Sequence, residues 1–141
     1  MNELKLGVVG YCPPTKFDEV EARRMLNEAY CNVKLDFPNK IVTVVSGLTN
    51  VGVLKLAYEE AKNRGWRTAG IACEKARGFE WFPVDDTPII IGKNWGEESE
   101  TFINSIDALV RIGIGPQSIK EARLVKALGK KIYEYDLPKL D

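Results

Sequence analysis

The stretch VVSGLTNVGVLKLAYEEAKNRGWRTAGIA, Val44 to Ala72, reads as a strand, a glycine-containing turn, a helix and a second strand. With Ile41 to Thr43 before it, the first part is apolar nearly throughout, the pattern of a strand covered on both faces. Val51, Leu54, Ala57, Tyr58 and Ala61 then recur along one side of a helix. Thr49 or Asn50 is placed to cap it and Gly65 suits its end. The second strand, Arg67 to Cys73, follows at once.

The same alternation continues in both directions. Leu4 to Gly10 is a short apolar run stopped by glycine and then by Cys12-Pro13-Pro14. Beyond it Ala22, Met25, Leu26, Ala29 and Tyr30 mark an amphipathic helix with Asp18 as N-cap. On the C-terminal side, Thr87 to Gly92 reads as a fourth strand, Lys93 to Ile106 as a loop and short helix, and Asp107 to Gly113 as a fifth strand. Pro116 to Lys130 reads as a helix with Ala122, Leu124, Val125 and Leu128 inward, and Lys131 to Asp136 as a sixth strand. Strands alternating with helices predict a three-layer α/β Rossmann-like domain, with a mostly parallel doubly wound sheet of about six strands. Ligands of such sheets sit at the carboxyl ends of the strands, where strand order reverses.

The 141 residues fit one domain, 1–141, able to bury on the order of two thirds of its unfolded surface. Acidic and basic residues cancel to zero formal charge, so no long-range field favours nucleic acid or a membrane surface. No apolar run approaches the roughly 20 residues that cross a bilayer, and the start lacks a basic leader; the expectation is a cytoplasmic protein. Cys12, Cys31 and Cys73 are odd in number and scattered, as reduced thiols are, and neither a structural zinc nor a cofactor is implied. The chain has no histidine, which removes Ser-His and Cys-His nucleophiles.

Two turns carry the candidate site. Ser46, Gly47, Thr49, Asn50 and Gly52 lie between a buried strand and a helix start, where unpaired N–H groups and the helix dipole favour a phosphate. Gly113, Gly115, Gln117 and Ser118 repeat that geometry after the fifth strand. Ser118 and Glu121 also have capping-box spacing, which would give Glu121 a purely structural role.

The first turn resembles S-G-G-G-x-x-G-L-M and the second P-G-G-x-G-T-x-x-E, the paired motifs of the LONELY GUY family of phosphoribohydrolases, once taken for lysine decarboxylases. Ser46, Gly47, Gly52 and, less strictly, Val53 and Leu54 match the first; Gly115, Glu121 and, conservatively, Ser118 match the second. The segment from Val45 to Ala72 also resembles the Rossmann core of DNA-processing protein A, and together these point to the SLOG superfamily of nucleotide-binding domains. The resemblance implies a nucleotide-type ligand and a homodimer or larger homo-oligomer. It also implies a catalytic Glu121, acting on a nucleoside 5′-monophosphate. The family's catalytic arginine falls on Glu98, and Leu48, Thr49, Gly113, Ile114 and Gln117 replace family residues. Arg111, close to the second turn, is the candidate substitute for that arginine.

Tyr11, Trp81 and Trp95 fall at strand ends where a base can stack, in company with Phe79 and Phe82. Glu74 to Pro83 is the candidate lid. Lys16, Lys75 and Arg77 are cations within reach of the strand ends, and Glu97, Glu98 and Glu100 form either paired carboxylates, for acid/base work or for a metal, or an acidic helix start. Cys12 is the cysteine best placed to react. The leading reading is a nucleotide-binding protein, with a phosphoribohydrolase and an interaction protein with a vestigial pocket as alternatives.

Overall fold

The computed structural model describes residues 2–141. In chain order it runs β1 (Glu3–Gly10), β2 (Lys16–Phe17), α1 (Glu19–Asp36), β3 (Ile41–Ser46), α2 (Gly52–Asn63) and β4 (Arg67–Ala72). After a short 3-10 helix (Glu74–Gly78) come β5 (Ile89–Ile90), α3 (Ser99–Ser105), β6 (Ala108–Ile112), α4 (Pro116–Ala127), β7 (Lys131–Tyr135) and β8 (Lys139–Leu140).

Six strands form one parallel sheet in the order β5-β4-β3-β1-β6-β7. Strand β1 is its axis: Leu6 lies opposite Val44 of β3, and Val8 opposite Val110 of β6. The chain winds outward first on the β3 side and then on the β6 side, so strand order reverses at β1. The architecture is the doubly wound Rossmann-like sheet expected from the alternation of elements.

Period-two alternation assigns the faces. Leu4, Leu6 and Val8 of β1 pack with Val42, Val44, Val110 and Ile112 under α1 and α2. Val9, Val45, Leu109 and Ile71 point the other way, under α3 and α4. Gly7 is where α3 meets the sheet, since a methyl group there would lie 2.7 Å from Ile106 and 2.9 Å from Phe102.

Helix α1 starts as its sequence predicts, with the Asp18 carboxylate accepting the Glu21 N–H at 3.1 Å. Helix α2 does not. Its N-cap is Val51 rather than Thr49 or Asn50, and the N–H of Val53 donates to the Tyr11 carbonyl at 2.8 Å. A backbone carbonyl from the first loop thus does what a capping side chain was expected to do. Its buried face is Val53, Leu56, Ala57, Tyr58 and Ala61, with Val51 at the surface and Leu54 half-buried.

Helix α4 is the second departure. It begins at Pro116 with Gly115 as N-cap, so Ser118 already stands in the first turn and no capping box forms. Proline suits that first position because its fixed φ matches the helix and its missing N–H would have been unpaired there. The shift also turns the helix: Leu124 and Leu128 face solvent, while Ser118, Glu121, Ala122 and Val125 face inward. A carboxyl group is buried where leucine was expected.

The fourth predicted strand shrinks to the two residues of β5, at the sheet edge beside β4. The C-terminal segment adds an antiparallel pairing of β8 with β2, Lys16 opposite Leu140.

Candidate functional site

The carboxyl ends of β1, β3 and β4 and the start of α4 open into one cavity of about 320 Å³. Its position, at the reversal of strand order, follows from topology alone. Apolar walls come from Val8 and Val9 of β1, Leu54 of α2, Ile71 of β4 and Phe102 of α3. One side is closed by Gly47, Leu48 and Thr49, the other by Gly115 to Ser118 at the start of α4, and Trp95 stands at the mouth, 51% exposed.

Both glycine turns therefore contribute to one site, but not every residue in them does. Ser46, Gly47, Thr49, Gly115, Gln117, Ser118 and Glu121 line the cavity, as do Tyr11 and Trp95. Asn50 and Gly52 line a separate groove with Lys16, Lys55 and Thr15. Gly52 is fixed by packing: its φ is +65°, and a methyl group there would overlap the Tyr11 carbonyl. Gly113, at φ +104°, is covered by the Tyr11 ring in the same way.

Tyr11 ties these pieces together. Its hydroxyl donates to the Leu137 carbonyl at 2.7 Å and accepts the Ile114 N–H at 3.1 Å. Its ring packs on Phe17 with centroids 5.9 Å apart. The ring thus props up the second turn.

Arg111 stands outside the cavity lining. Its guanidinium donates to Glu134 at 3.1 Å, to Asp136 at 2.7 Å and to the Gly113 carbonyl, so it fastens the second turn to the end of β7. Trp81 is likewise turned away, its indole N–H donating to the Ala76 carbonyl at 2.7 Å. The segment expected as a lid is stitched to the first turn. Asn50 N–H donates to Glu80 at 2.9 Å, Phe82 N–H to Leu48 at 2.9 Å, and Thr49 bridges Trp81.

Leu48, where the resembled family has glycine, is accommodated by a glycine elsewhere. Its side chain fills the space above Gly70, where even a methyl group would overlap it, and packs with Ala72 and Ala76. The hydroxyl of Tyr58 fixes the adjacent backbone, accepting the Ser46 N–H at 3.0 Å within hydrogen-bonding distance of the Gly47 and Ala69 carbonyls. Burial holds that phenol neutral by raising its pKa well above the ordinary value.

The charged content of the cavity is acidic. Among the described residues that line it there is no lysine or arginine, and its carboxyl groups are Glu98 and Glu121. Lys16 lies in the neighbouring groove, and Arg77 pairs with Glu74 at 2.7 Å on the surface. Glu121 is 6% exposed and accepts the Ser99 hydroxyl at 3.0 Å. Burial, with the charge of Glu98, pushes its pKa up to about 7, while hydrogen bonds from Ser99 and Gln117 oppose the shift. Glu98 receives the Gly96 N–H at 2.7 Å. Ser99 escaped notice in the sequence, where nothing but its place at the start of a short helix marks it. Glu97 behaves as an ordinary loop brace, accepting from Lys93 N–H at 2.9 Å and Asn94 at 3.0 Å. Cys12 is an exposed free thiol at the cavity edge, and Cys73 is buried.

A doubly wound parallel sheet with a cavity at its switch point defines a Rossmann-like protein. The sequence matches no protein-family model and no curated protein. Solved structures share the fold. The molybdenum cofactor carrier protein of Chlamydomonas reinhardtii aligns with a TM-score of 0.71 at 24% identity, over 94% of this chain and 76% of its own. The molybdenum cofactor binding protein of Rippkaea orientalis aligns with a TM-score of 0.72 at 21% identity, over 95% of this chain and 77% of its own. No helix among the described residues is long and apolar enough to cross a membrane.

Proposed function

We propose that this chain is a small-ligand binding protein of the SLOG type, and that it takes a nucleotide or nucleotide-derived molecule in the cavity at the carboxyl edge of the sheet. The observation that carries the reading is the convergence of both glycine turns on one cleft of about 320 Å³, within the range of small-molecule sites. The anionic group of the ligand sits at the first turn of α4, where Pro116 supplies the bend and the N–H groups of Gln117 and Ser118 begin the helix. Strands β3 and β6 flank β1, which separates their ends by two strand spacings, roughly 10 Å. That span suits a nucleoside monophosphate laid across β1, rather than one phosphate gripped by both turns. Trp95, at the mouth, supplies the face for a ring.

Binding is favoured over turnover by the charge of the site. The position of the family arginine is occupied by Glu98, and Arg111 is engaged by Glu134 and Asp136. The structural neighbours named above are carriers and binders of a cofactor, which supports the same emphasis.

One observation favours a second reading. Glu121 holds its proton near neutral pH beside a second carboxyl, Glu98, as a general acid beside a cation-stabilising carboxylate would, and that arrangement suits cleavage of an N-glycosidic bond. One-dimensional proton NMR of AMP and other nucleoside monophosphates with the protein, followed over hours, separates the two. Broadened ligand lines without new peaks support binding alone, and free base beside ribose 5-phosphate supports the hydrolase. Gly47→Asp adds a Cβ 3.1 Å from a Leu54 methyl and a carboxylate at the cavity wall, and abolishes the broadening if the reading holds. Unchanged affinity in that variant would sink it.

A further inference from the structure

The cavity poses an electrostatic problem. An anion at the first turn of α4 lies beside Glu121, and no lysine or arginine among the described lining residues offsets the repulsion. The titratable groups that line the cavity are Tyr11 and Cys12 from the first loop, Glu98 at the start of α3, and Glu121. Lys120, the helix neighbour of Glu121, weakly favours its ionised form. Tyr11 is committed to Leu137 and Ile114, and Glu98 brings a second negative charge. Two other cations on the α4 side of the sheet are used elsewhere: Arg111 by Glu134 and Asp136, and Lys130 by the carbonyls of Ile103 and Ile106 at 2.7 and 2.8 Å.

We propose that Glu121 contacts the ligand as a neutral carboxylic acid, donating its hydrogen to an oxyanion seated at the first turn of α4, so that an anionic ligand arriving while Glu121 is ionised binds together with one proton. The proposal rests on the reading above that the anionic end lies at α4. Ser99 bonds Glu121 Oε2 at 3.0 Å and the Gln117 side chain reaches the same carboxyl, so Glu121 lines the cavity beside the residues that open α4. Where Glu121 is ionised before binding, the charge added to the buried site is one unit smaller than the charge of the ligand, and a carboxylate–anion clash becomes a hydrogen bond. Phosphate and sulfate esters belong to the class that satisfies it.

Inorganic sulfate is the cleanest probe, because its own charge is constant from pH 5.5 to 8.5. The protein is labelled with nitrogen-15 and titrated with sulfate, reading the Gln117 and Ser118 amides at pH 6 and pH 8. With a pKa of about 7, Glu121 is about nine-tenths protonated at pH 6 and about one-tenth at pH 8, so wild-type affinity falls about tenfold. In Glu121→Gln the amide donates at every pH, and the profile flattens. Glu98→Gln retains a fall with pH.

Equal wild-type affinity at the two pH values overturns the proposal, as does a tenfold fall that survives in Glu121→Gln. So does a sulfate titration that leaves both amides unmoved at pH 6. In that last case AMP is added to the same sample. Shifts at Gly47 and Thr49 then leave the nucleotide reading standing without its proton, and silence at all four amides overturns both.

Discussion

Ser99 and Glu121 join α3 to α4 beside the cavity through a hydrogen bond of 3.0 Å. It is the polar link between two helices that otherwise meet through Phe102, Ile103, Ala122 and Val125. A carboxyl group held there, burial acting against its ionised form, gives stability a pH dependence whose sign is fixed. The folded chain keeps the Glu121 proton up to about pH 7, whereas an exposed glutamate releases it near 4.5. Between those values the folded state holds more protons than the unfolded one, so stability is fully present below about 4.5 and falls as pH rises toward 7. At about 1.4 kcal/mol per pKa unit the loss is at most about 3.5 kcal/mol. Urea denaturation at pH 5 and pH 8 checks it: Glu121→Gln matches wild type at the lower pH and exceeds it at the higher one.

Gly52 and Gly65 both have positive φ but only one is crowded. At Gly52 an added methyl group overlaps the Tyr11 carbonyl, and at Gly65 it meets nothing within 4 Å. Gly65→Ala therefore costs about 1 kcal/mol, the penalty of the left-handed conformation. Gly52→Ala adds a clash with backbone and costs at least about 2 kcal/mol more. Equal midpoints in chemical denaturation would contradict the account of the first turn.

Tyr11→Phe removes two hydrogen bonds without changing the ring. The Leu137 carbonyl loses its donor and the Ile114 N–H its acceptor, at a cost of about 1–3 kcal/mol. Since Ile114 lies in the second turn, the variant also lowers nucleotide affinity. A variant as stable as wild type would contradict the bracing role.

Much of the fold is legible in the sequence, for definite reasons. Strands such as Ile41 to Ser46 are apolar on both faces, and helix α1 announces both its cap and its stripe, so the order of elements and the position of the cavity follow. What stays hidden depends on contacts between distant residues. Nothing near Val51 tells that the Tyr11 carbonyl will accept the Val53 N–H. The rotation that buries Glu121 and exposes Leu124 and Leu128 follows from Pro116 opening the helix, a competitor that the capping-box spacing of Ser118 and Glu121 conceals. Arg111 sits beside the second turn in sequence, yet its partners lie on the far side, at Glu134 and Asp136.

Trp95 is half exposed at the cavity mouth, and its ring meets that of Phe79 with centroids 5.8 Å apart. Trp95→Ala therefore changes stability by no more than about 0.5 kcal/mol. If its ring carries the base, the same variant weakens nucleotide binding by at least fivefold, in line with the roughly 1–3 kcal/mol of a base–aromatic stack. A large loss of stability, or unchanged affinity, would remove Trp95 from the site.

The most direct test of the central claim is a nitrogen-15 correlation titration of the whole chain with a panel of nucleoside 5′-monophosphates at pH 6. The account predicts saturable shifts at Gly47 and Thr49 on one side of the cavity and at Gln117 and Ser118 on the other, for at least one member of the panel. Shifts confined to the groove of Lys16 and Lys55, or none across the panel, would contradict it.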